Sequence, residues 1–144
     1  ILNKALNITV NDALEGFPGW DQKLTMGGPV APDTLHYLHT LGDEVPECTS
    51  VGDGIFWGGN IEVVKELISS GRAKQGQIRF FLGYSGWGEG QLEKELRENS
   101  WVIADTIPDV IMKYRKDDSW KMVLRSLKKR YRLWADFPES PEMN

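Results

Sequence analysis

Apolar residues recur along this chain at two different spacings, and the longer one is the easier to read. After Asn60, the positions Ile61, Val64, Leu67 and Ile68 follow the three-four spacing that sets one stripe of a helix against a core. Asn60 supplies a capping side chain and Gly71 the C-terminal stop. A second helix is predicted over about 91–98, with Leu92 and Leu96 facing inward and Glu93 and Arg97 meeting outside. A third begins near Asp118 or Ser119, with Trp120, Val123, Leu124 and Leu127 as its apolar face. A short helical turn, capped by Asn11 and running to Leu14, ends at Gly16-Phe17-Pro18-Gly19.

Between these lie short runs suited to strands. Ile8 to Val10, Lys23 to Met26, Leu35 to His39 and Gly54 to Trp57 are such runs, and Gly27-Gly28-Pro29 turns the second sharply. Ile78-Arg79-Phe80-Phe81-Leu82 has the aromatic and β-branched content of a central strand. Trp101-Val102-Ile103-Ala104 is a further strand, which Pro108 prevents from continuing. Residues 42–50 read as an acidic loop and 138–144 as a surface tail. Strand, helix and strand in succession around 54–104 imply a small mixed sheet without the repetition of a doubly wound domain.

Composition narrows the class without naming a function. One domain is the usual outcome for 144 residues, and 40% apolar with 26% charged residues is ordinary for a folded soluble chain. Cys48 is alone, so neither an intramolecular disulfide nor a thiolate cluster is available, which fits the cytoplasm. The apolar runs are too short for a membrane span. The chain does not open with methionine or a secretory signal, and is read as lacking part of its N-terminal region. The net charge of −4 is unevenly spread, because nine Lys or Arg between Lys113 and Arg132 face only Asp117 and Asp118.

Three blocks carry a resemblance: Met26-Gly27-Gly28-Pro29-Val30, Phe81-Leu82-Gly83-Tyr84-Ser85-Gly86-Trp87 and Gly90-Gln91-Leu92-Glu93. Together they resemble the YqgE/AlgH family, in the version associated with Bacteroidetes-type bacteria. Asn3-Lys4 with Leu6-Asn7-Ile8-Thr9 is similar to the family's early Asn-Lys-Pro motif, with Ala5 in place of proline, and His39 matches a family histidine. Gly58-Gly59 departs from the hydroxyl-bearing residues of many relatives, so no role of those hydroxyls carries over. The resemblance implies one compact, coiled, mixed α+β domain with about three short helices. It brings no established reaction. Some relatives bear a transcriptional-regulator label, without mapped contact residues.

Candidate chemistry concentrates in the glycine-rich loop. Gly83, Tyr84, Ser85, Gly86, Trp87 and Gly88, with Gln91 behind them, are the ligand-binding candidates, and Tyr84 with Trp87 is the surface pair most suited to recognition. The competing reading is a structural turn, since the spacing matches neither a dinucleotide nor a phosphate loop. Ser85 with His39 as base would make a small-molecule hydrolase or transferase, but Trp87 stands where a nucleophile elbow needs glycine. His36 and His39 with Asp33 or Asp43 form no recognised metal set, and neither metal nor cofactor is expected. Trp57, Trp101 and Trp120 are expected in or near the core, Trp20 and Trp87 partly open. Lys121, Arg125, Lys128, Lys129, Arg130 and Arg132 form a basic patch for phosphate backbones or an acidic protein, with a solvated face as the plainer reading. The leading expectation is a cytoplasmic module that binds a protein or small molecule, with nucleic-acid regulation as an alternative.

Overall fold

The computed structural model describes residues 1–2, 4–105, 107–113, 118–127, 131 and 135. Its strands are β1 (Ala5–Thr9), β2 (Lys23–Met26), β3 (Val30–His39), β4 (Thr49–Gly52), β5 (Ile55–Trp57) and β6 (Ile78–Tyr84). Its α-helices are α1 (Val10–Ala13), α2 (Ile61–Ser69), α3 (Gln91–Arg97), α4 (Pro108–Met112) and α5 (Asp118–Ser126). The strands form one sheet in the order β1-β2-β6-β3-β5-β4. β2 and β6 run parallel, while the other neighbouring pairs are antiparallel. The fold is therefore a mixed-sheet α+β fold, with three helices of seven residues or more among the described residues.

Burial on β6 follows from its place in that order. With β2 on one side and β3 on the other, four consecutive residues, Ile78, Arg79, Phe80 and Phe81, lie below a tenth exposed. A strand covered on both faces loses the alternation of a half-exposed one. Its even residues join the main core: Ile78 and Phe80 meet Tyr37 of β3, Leu24 of β2, Phe17, and Val64, Leu67 and Ile68 of α2. Phe17 and Tyr37 both pack on the Phe80 ring, at 5.0 and 5.7 Å between centroids. Burying one such side chain contributes about 1.5–3 kcal/mol. α2 reaches this face as its spacing predicts, with the Asn60 side chain accepting from the backbone N–H of Glu62 and Val63.

Where β2 ends beside β6, the two backbones come close enough to exclude any side chain. A Cβ at Gly27 would fall on the carbonyl oxygen of Gly83, and one at Gly28 on that of Tyr84, both well inside the 3.0 Å real Cβ atoms respect. Gly83 itself has φ of +66°. Glycine at these three positions is a packing requirement that locks the second family-like block to the first.

Several expectations are corrected. The first helical turn is capped by Thr9, not Asn11, because Thr9 Oγ1 accepts from Asp12 N–H while Asn11 Oδ1 accepts from Gly19 N–H. The loop predicted over 42–50 contains a 3-10 turn at Gly42–Glu44 and the start of β4. Trp101–Ala104 is not a strand and is largely exposed. Trp57 and Trp120 are exposed, whereas Trp20 is buried, drawn inward by Trp20 N–H to Phe17 O and Asn11 N–H to Trp20 O. Leu92 of α3 is exposed, and the ion pair on that helix is Lys94–Glu98 at 3.9 Å. Asn3, Lys128, Lys129, Arg130, Arg132 and the tail 138–144 lie outside the described residues.

Candidate functional site

The opposite face of the sheet is only partly covered, and the aromatic residues gather there. Strand parity decides which side chains reach it: His36 and Leu38 of β3, Phe81 of β6 and Trp57 of β5 line a pocket of about 320 Å³. Tyr84, Ser85 and Trp87, from the glycine-rich loop, complete its rim. Ile1 and Leu2 form another wall. The walls are overwhelmingly apolar, which is the common make-up of a binding cleft.

His36 is the histidine of this site. Its ring stacks on Trp57 at 6.1 Å, meets the Tyr84 ring edge-on at 5.5 Å, and its Nε2 lies 3.0 Å from Thr34 Oγ1. His39 points the other way, into the core. Its Nε2 lies 3.1 Å from Gly58 O, its Nδ1 accepts from Leu41 N–H, and burial lowers its pKa more than the Gly58 contact raises it. Ser85 donates Oγ–H to Gly27 O at 3.2 Å. The alternative Ser85–His39 pair is not assembled: the two lie on opposite faces, each occupied by a structural bond. His36 and His39, on opposite faces, cannot share a metal ion. Among the described residues no three His, Cys, Asp or Glu form a metal-holding group.

The loop's polar groups are also committed. Gln91 Oε1 accepts from Gly88 N–H, and its Nε2 donates to Glu95 Oε1. Glu95 Oε2 accepts from the indole N–H of both Trp87 and Trp101, whose rings meet edge-on at 5.7 Å. Donation by Trp101, Gln91 and Trp87 holds the Glu95 carboxyl below its ordinary range. Glu95 therefore joins Trp101 to the pocket rim. The outcome is a continuous aromatic surface in which Trp57, Tyr84, Trp87 and Trp101 remain 47%, 44%, 40% and 49% exposed.

Below the pocket Arg79 is buried against the same face. It donates to Leu2 O, Ile111 O and Thr25 Oγ1, and its guanidinium lies over the Phe81 ring. It ties the start of the chain, β2 and α4 together. Sequence reasoning missed Arg79 and Glu95 as site-shaping residues, and weighed His36 as a base or metal ligand rather than as part of an aromatic face. Strand parity, with His36 and Leu38 set against Tyr37 and His39, was the available signal for His36. Of the basic patch, Arg125 is exposed and Lys121 half-buried on α5. No helix among the described residues is long and apolar enough to cross a membrane.

Fold and face together define a mixed-sheet α+β fold with an open aromatic surface. The family model described as AlgH-like matches residues 1–132, and the chain belongs to that family. A UPF0301 protein of Chlorobium limicola is 42% identical over 144 residues, covering all of this chain and 77% of its own. One from Cytophaga hutchinsonii is 39% identical over 145 residues, covering 80% of its length. The solution structure of the AlgH protein of Pseudomonas aeruginosa superposes with a TM-score of 0.70 at 21% identity, over 96% of this chain and 76% of that one. A crystal structure from Corynebacterium diphtheriae gives 0.71 at 21%, over 94% and 73%. These two likenesses establish the fold.

Proposed function

We propose that this chain is a polypeptide-binding module, whose aromatic sheet face receives the apolar side chains of a partner. The observation that carries the reading is the gathering of three half-exposed aromatic rings, Trp57, Tyr84 and Trp87, around one apolar pocket, with Trp101 packed edge-on against Trp87 beside it. Tryptophan and tyrosine offer large contact area with a polar tip, which is why they are enriched at interfaces. A hydrolase or transferase built on Ser85 and His39 has no support from the geometry, because a nucleophile needs its base within hydrogen-bond reach. The lone Cys48 suits a cytoplasmic setting.

Selection of linear peptides from a displayed library, followed by fluorescence polarisation on the enriched sequences, tests this. Peptides carrying aromatic and aliphatic residues should emerge, and Trp87→Ala should weaken them at least about tenfold, a typical loss for an aromatic anchor. Glu62→Ala, on α2 across the sheet, should leave binding unchanged. Failure to enrich any peptide, or equal binding by Trp87→Ala, removes the proposal.

A further inference from the structure

We infer that the partner of this face is a second copy of the same chain, seated across a two-fold axis with Trp101–Ala104 at its centre. The inference rests on the interaction-module reading and names the partner of that same face.

The first argument is extent. Beyond the pocket rim the surface continues from Trp87 through its ring contact to Trp101, then to Val102 and Ile103, which are 41% and 75% exposed. With Trp57 and Tyr84, these side chains leave on the order of 600 Å² of mostly apolar surface in water. That is the upper end of what a monomeric protein leaves in one patch. It also approaches the roughly 800 Å² that each partner contributes to a standard protein interface.

The second argument is self-complementarity. Trp101-Val102-Ile103-Ala104 has the composition of a buried strand yet belongs to none, and among the described residues its backbone N–H groups find no backbone acceptor. Such a segment is a template for strand pairing. Antiparallel pairing sets a segment against itself when the two chains are related by a two-fold axis, so one segment satisfies both sides. A heterologous partner would need a matching strand of its own; a second copy carries one by construction.

Charge permits the approach. The four residues Trp101 to Ala104 are uncharged, pairing the segment against itself sets Asp105 opposite Ser100 of the second copy, and Glu95 is engaged by the indoles of Trp87 and Trp101. Two copies therefore meet through this segment without setting like charges face to face, although each chain carries a net −4.

Sedimentation velocity and light scattering between about 1 and 100 µM, a range that covers typical dimer affinities, provide the test. The 144-residue chain should run at twice 16.3 kDa. Ile103→Asp should raise the dimer dissociation constant at least about thirtyfold, because it sets a carboxylate of each copy against the apolar Val102 of the other at the centre. Ile103 is mostly exposed within one chain, so its far-UV circular dichroism should stay unchanged. Glu62→Arg, on the covered face, should remain dimeric. A monomer throughout that range, a dimer indifferent to Ile103→Asp, or aggregates without a fixed stoichiometry would overturn the inference. A monomer that still binds library peptides through Trp87 leaves the module standing and removes only the second copy. A monomer that binds none removes both.

Discussion

Replacing Gly27 with alanine isolates the contact between β2 and β6 from every other role of glycine. The new Cβ would collide with the Gly83 carbonyl oxygen and lie 3.2 Å from both the Gly83 carbonyl carbon and Phe81 Cβ. Backbone cannot swing aside as a long side chain does, so the strand ends must separate. Overpacking a core costs about 1–3 kcal/mol, and a collision with main chain belongs at the top of that range, about 3 kcal/mol. Gly58→Ala is the matched control. Gly58 has φ of +67° and open space around its Cβ, so alanine there costs only left-handed backbone strain, about 1–2 kcal/mol.

Urea unfolding followed by tryptophan emission gives both values from midpoint and slope. A domain of this size has about 5–15 kcal/mol in total, so losing about 3 is plainly visible. The slope should stay constant, because the surface exposed on unfolding hardly changes. A loss at Gly27 equal to or smaller than that at Gly58 would refute the close-approach argument and return the Gly-Gly-Pro block to the role of an ordinary turn.

Arg79→Leu strips charge-assisted donors from Leu2 O, Ile111 O and Thr25 Oγ1; each such bond is worth about 1.5–3 kcal/mol, and a loss of at least about 3 kcal/mol in the same urea assay is expected. Arg79→Lys should recover only part of it, since one ammonium cannot reproduce the fork. His39 is buried and its pKa lies below the ordinary 6.5, so above that pH folded and unfolded chains are both neutral there. As pH falls below about 6.5 the unfolded chain takes up the proton first, and stability should drop by up to about 1.4 kcal/mol per unit until the folded pKa is reached. His39→Phe should flatten that part of a urea–pH series. The Tyr37 hydroxyl donates to Gly59 O at 2.7 Å, and burial, with a smaller contribution from Cys48, raises its pKa to about 12. In the folded protein one tyrosinate absorbance step near 295 nm should therefore wait for about pH 12, and Tyr37→Phe should remove it.

What the sequence disclosed was the structure decided by nearby residues. α2 is legible from its spacing, its Asn60 cap and its Gly71 stop, because each acts within a few residues of the helix. β2, β5 and β6 are legible from composition and from the glycines around them. Trp87 is partly open as expected, but Trp20, Trp57, Trp101 and Trp120 were misplaced, because burial depends on what the other elements cover. Trp57 stands on a strand and was read as core, yet its parity puts it on the open face. Trp20 sits between turns and was read as open, yet two backbone bonds fold that loop inward.

The candidate site divides along the same line. The glycine-rich block drew attention to its loop, but Gly83 serves the β2–β6 contact, and the loop's polar groups are spent on Gly27, Gly88 and Glu95. What remains free to act is the aromatic surface those bonds position. Local motif reading assigns chemistry to the groups that are most recognisable, whereas function belongs to the groups left uncommitted once every backbone and side-chain bond is satisfied. By that measure Ser85 and His39 are held by structural bonds, and the proposed binding rests on the face carrying Trp57, Tyr84, Trp87 and Trp101, which those bonds leave exposed.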